Sequence, residues 1–118
     1  MNPEKNYALE EMPQGWWQMS PEQKRVAVID LAISLLTRID HEHRAPDQWE
    51  TTNLLSALGA LNTGFFSLAR VQVILAMAPE IDRSPSWTPP PGIETPKAVE
   101  LILDFERMLL QPIRRPGE

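Results

Sequence analysis

From Thr51 to Pro79 the chain carries one charged side chain, Arg70, between Glu50 and Glu80. A stretch so long and so poor in charge must be hidden when the chain folds in water, and the remaining segments are constrained to cover it. Its periodicity is helical. Leu54, Leu58, Leu61, Phe65 and Leu68 recur three and four residues apart, and Leu55, Phe66, Val73 and Met77 widen the apolar face. A second row, Asn53, Ser56, Ala60, Thr63, Ser67 and Arg70, keeps the same period. Because that row stays in phase across Gly59 and Gly64, one long helix over 46–78, kinked near Asn62 to Gly64, is favoured over two helices joined there. Each glycine costs about 1 kcal/mol relative to alanine in a helix interior, so close backbone packing has to offset it. A continuous helix of this kind would be about 45 Å long at 1.5 Å per residue.

That length would suffice to span a bilayer, but Asn53, Asn62, Arg70 and Gln72 interrupt the apolar run. An arginine near the centre of a spanning helix costs about 2.5–3.5 kcal/mol. With 23% charged residues and a mean hydropathy of -0.29, no membrane span is expected.

The flanking segments read as helices and connectors. Residues 1–19 form an arm in which Asn2, Pro3 and Glu4 start a short helix to about Glu11, broken by Pro13 and Gly15. Trp16 and Trp17 follow, and two adjacent tryptophans point in different directions, so at most one can be fully buried. Ser20, Pro21 and Gln23 combine a cap, a first-turn proline and a capping box, which predicts a helix over 20–40. Val28, Leu31, Leu35 and Ile39 form one apolar row of that helix, and Ile29, Ile33 and Leu36 form another. Asp47 and Glu50 offer a second capping box at the start of the central segment.

Residues 79–95 are proline-rich, with Pro89, Pro90 and Pro91 consecutive, and predict an extended strap whose Trp87 and Ile93 pack on the bundle. Thr95 as cap and Pro96 at the first position predict a last helix over 96–111, followed by a tail at 112–118. There Lys97, Glu100, Asp104, Arg107 and Gln111 mark a solvated face. Val99, Ile102, Phe105 and Leu109, beside Leu103 and Leu110, mark the apolar one. The expected fold is therefore all-α, a small bundle of three main helices with an N-terminal arm and a proline-rich connector, in a single helical domain of 118 residues.

Composition narrows the function. A net charge of -5 disfavours nucleic-acid binding, a helix-turn-helix DNA binder included. The absence of cysteine removes disulfides, thiolate metal sites and a cysteine nucleophile, and it fits a reducing cytoplasm. The N-terminus lacks a basic segment followed by an apolar one, so no signal peptide is expected and the location is taken as cytoplasmic. Phosphate-cradling glycine loops, nucleophile elbows and zinc-protease helices are all missing. The two histidines share one loop with Asp40, and His41 and His43 would face opposite sides of a helix, which is poor chelating geometry. No catalytic, cofactor or metal residues are assigned.

What remains is surface. A row of small, uncharged residues on the central helix suits close approach by a second protein, most simply a second copy. The expected function is a non-enzymatic interaction module of the adaptor, chaperone or inhibitor type, acting as a homodimer and open to a second protein partner. The expected partner-binding residues are Ser56, Ala60, Thr63, Ser67 and Arg70, with Trp16, Trp17 and Trp87 as aromatic anchors. The alternative is a small helical enzyme or metal-binding protein using Asp40, His41 and His43.

Overall fold

The computed structural model describes residues 15–113. The helix expected at Asn2–Glu11 and the end of the tail lie outside the described residues. Those residues form four α-helices and no strand: α1 (Pro21–His41), α2 (Gln48–Asn62), α3 (Phe66–Ala76) and α4 (Ala98–Met108). Two 3₁₀ turns, Trp16–Gln18 and Glu80–Asp82, precede α1 and follow α3.

The single long central helix is not formed. Residues 51–79 fold as α2 and α3, which turn at Thr63–Phe65 and pack back against each other. The turn is a Schellman motif. Gly64 adopts φ 83°, its N–H donates to Leu61 O at 3.2 Å, and Phe65 N–H donates to Ala60 O at 2.9 Å. Only glycine takes that left-handed conformation without strain. Thr63 Oγ1 adds bonds to the carbonyls of Gly59 and Ala60 at 3.1 and 3.2 Å. A straight helix of about 45 Å would also overrun a molecule whose principal extents are 35 × 34 × 27 Å. The polar row kept its phase in sequence because a three-residue break is close to one helical turn, so three- and four-residue spacings pass through it undisturbed.

The hairpin runs antiparallel. At its open end the Trp49 indole Nε1 donates to Leu75 O at 2.8 Å, tying the first turn of α2 to the last turn of α3. α1 packs on α3 and, over a larger contact, on α4. The α1–α4 pair is also antiparallel, since the Arg25 guanidinium near the start of α1 donates to the carbonyls of Leu109 and Gln111 after the end of α4. Inside lie Val28, Ile29, Ala32, Leu35, Leu36 and Ile39 of α1 with Leu54, Ala57 and Leu61 of α2. Phe66, Ala69 and Val73 of α3 and Leu101 and Phe105 of α4 join them, with Trp16, Ala60, Ala76, Ala98 and Met108 in the same core.

Two of the capping boxes form as their residues suggest. Ser20 Oγ accepts Gln23 N–H at 3.2 Å and Gln23 Oε1 accepts Ser20 N–H at 2.8 Å. Asp47 and Glu50 exchange the same pair of bonds at 2.8 Å each. The start of α4 differs from the Thr95–Pro96 expectation. Lys97 occupies the cap position, and its N–H donates to Glu100 Oε2 at 3.0 Å, so the carboxylate three residues on sets the start. The buried face of α4 is rotated as well. Ala98, Leu101, Phe105 and Met108 point inward, whereas Val99, Leu103, Leu109 and Leu110 are exposed.

Candidate interaction surfaces

The turn at Gly64 separates the residues of the expected partner row. Ser56 and Ala60 lie on α2, Thr63 caps it, and Ser67 and Arg70 belong to α3. Ser56 and Thr63 are exposed, Ala60 is buried at 7% exposure, and Ser67 and Arg70 are half-buried. What α2 presents to solvent is a neighbouring face, carrying Leu55, Ser56, Gly59, Asn62 and Thr63. Between Asp47 and Arg70 every exposed side chain is uncharged, including Phe65 and Leu68 at and beyond the turn.

The structure brings Ser67 and Arg70 to Trp16 instead. Trp16 is fully buried, its Nε1 donates to Ser67 Oγ at 2.9 Å, and the Arg70 guanidinium lies 5.9 Å from the ring centroid. The Lys24 ammonium lies 5.6 Å from the rings of both Trp16 and Trp17, an arrangement favoured by the negative faces of the indoles. Trp17 itself is 66% exposed. The tryptophan pair thus divides into a core residue and a surface residue, and Gly15, at φ 85° before the 3₁₀ turn, starts that division.

Trp87 belongs to a separate place, where the strap crosses the start of α2. It is half-buried and meets Trp49 edge to face, with centroids 5.3 Å apart and planes at 79°. Arg83 of the strap lies 5.5 Å over the Trp49 ring, donates to Asp47 Oδ2 at 3.0 Å and donates to Ala78 O at 3.1 Å. These residues line an open groove of about 660 Å³ together with Glu80, Ile81 and Pro85. Sequence reasoning singled out Trp87 but not its partners. The signal was a strap with one arginine opposite a first-turn tryptophan and an acidic helix cap, legible only once the strap's course is known.

Next to it sits an ion pair that sequence reasoning also missed. Glu50 is buried at 4% exposure, and Arg44 holds it with two parallel bonds of 2.8 and 3.1 Å while donating from Nε to Glu42 at 2.8 Å. The bonds to Glu50 raise the already high pKa of the guanidinium, against the opposing effect of burial. Asp40, His41 and His43 are exposed around this loop, with His43 at φ 57°. Among the described residues no group of three or more histidine, aspartate or glutamate side chains is placed to hold a metal ion.

No helix of the described residues is long and apolar enough to cross a membrane. Comparison with protein-family models, with characterised proteins and with solved structures finds no match to this chain.

Proposed function

We propose that this protein is a non-enzymatic protein-interaction module, of the adaptor, chaperone or inhibitor type, that acts as a homodimer through the outer face of α2. One observation carries the reading. Gly59 stands in the middle of an exposed, uncharged helix face, and a Cβ built on it would meet none of the described residues within 4 Å. A glycine there costs about 1 kcal/mol relative to alanine, and packing among the described residues does nothing to offset it. A second backbone approaching this face would. Two copies related by a two-fold axis would bring Ser56, Gly59 and Thr63 of each against the other with no like charges opposed. A chain without cysteine suits the reducing cytoplasm, the location this reading assumes.

The test is light scattering at tens of micromolar, roughly the range in which weak dimers assemble. The wild type is expected to be a dimer. Ser56→Glu is expected to be a monomer of unchanged helical circular dichroism, because it sets two carboxylates against each other near the axis. Ala60→Glu is unsuitable, since Ala60 is 7% exposed and a charge there would disrupt the core. A monomeric wild type rejects the dimer.

A further inference from the structure

We infer that the groove where the strap crosses α2 receives a basic segment of a protein partner, with an arginine or lysine side chain set against Trp87 and Trp49 and paired with Glu80. The chain already shows how such a cation is held there. Arg83 lies 5.5 Å over the Trp49 ring and bonds Asp47 Oδ2 at 3.0 Å, an aromatic face and a carboxylate acting on one guanidinium. Trp87 stands nearly perpendicular to Trp49 and completes a second aromatic wall of the same groove.

The charge left over is negative. Arg83 is committed to Asp47, and Arg44 is committed to Glu50 and Glu42. The carboxylates of Glu80 and Asp82, in the adjacent 3₁₀ turn, have no ion-pair or hydrogen-bond partner among the described residues. Ile81 between them is 86% exposed and supplies apolar contact for the stem of a long basic side chain. A volume of about 660 Å³ lies within the roughly 300–1,000 Å³ typical of ligand clefts. Nucleic acid is the wrong occupant, because its phosphates would meet Glu80 in the groove, with Asp82 close by in the same turn. A neutral proline-rich peptide would use the tryptophans and leave the Glu80 carboxylate idle.

The experiment titrates the full chain with a short peptide of alternating arginine and glycine. The readout is the indole N–H resonances of Trp49 and Trp87. A glutamate-glycine peptide and a proline peptide serve as comparisons. Both indoles are expected to shift with the basic peptide below about 1 mM. Glu80→Gln combined with Asp82→Asn is expected to weaken that binding about fivefold. Both positions lie in a connecting turn, so helical circular dichroism should be unchanged; if it is not, Glu80→Gln alone supplies the comparison. Absence of shifts, equal affinity in the variant, or tighter binding of the proline or the acidic peptide would each overturn the inference.

Discussion

Trp16 Nε1 donates to Ser67 Oγ at 2.9 Å across 51 residues of chain. With Trp16 fully buried, this bond stitches the segment before α1 to the first turn of α3. Trp16→Phe keeps most of the apolar volume and removes the donor, and is expected to cost about 1–2 kcal/mol. Trp16→Ala also leaves a cavity and is expected to cost about 3–5 kcal/mol. Urea titration followed by circular dichroism measures both, and equal midpoints for wild type and Trp16→Ala would contradict the burial.

Two glycines in the hairpin should respond to alanine with opposite signs. At Gly64, φ 83° makes a Cβ strained, and Gly64→Ala is expected to destabilise by about 1–2 kcal/mol. At Gly59 the added methyl meets open space, so Gly59→Ala should stabilise the isolated fold by about 0.5–1 kcal/mol. If α2 forms the dimer interface, Gly59→Ala will weaken the dimer while raising the monomer's stability. Denaturation at two protein concentrations separates the two effects.

Arg44→Ala leaves the Glu50 carboxylate buried and stripped of its paired donor. Because the Arg44 side chain is 40% exposed, solvent screens part of the interaction. The expected loss is about 1–3 kcal/mol. Arg44→Lys should recover only part of it, since a lysine cannot make the two parallel bonds that reach both oxygens of Glu50. Thermal melts of the two variants give the comparison, and a full recovery by lysine would show that geometry is unimportant there.

His41 and His43 are exposed, and replacing both by glutamine is expected to leave Tm nearly unchanged. Metal analysis of the purified wild type provides the other half of this test. Stoichiometric zinc or manganese that disappears in the double variant would favour the enzyme or metal-binding alternative.

The starts of α1 and α2 were the most legible part of the fold in the amino-acid sequence. Ser20 with Gln23 and Asp47 with Glu50 are local devices whose bonds close within one turn, so residue identity suffices to find them. The break at Gly64 was hidden because its signature, a left-handed glycine followed by an apolar residue, is equally compatible with a helix interior until the chain is seen to reverse. The outward face of α4 was misjudged for a different reason. An apolar arc wider than the available contact leaves the choice of buried residues to the neighbouring helix, and Val99 and Leu103 lost that competition to Leu101 and Phe105. The groove was the least legible feature. It joins residues 47–49 to residues 80–87 through the path of a strap, and no periodic pattern encodes that path.

The three residues Thr63 to Phe65 are all that separate α2 from α3, whereas α1 and α4 must find each other across the whole hairpin and the strap. Loop-closure entropy rises with the length of chain to be closed, and contacts near in sequence form soonest. The order of assembly is thereby biased. The hairpin is able to form as soon as its own residues are available, during synthesis as well as on refolding. The α1–α4 contact waits until residues 98–108 have been made. Truncating the chain before Ala98 would leave one flank of α1 bare while sparing the hairpin's own contacts, so the α1–α4 pair should come apart before the hairpin does.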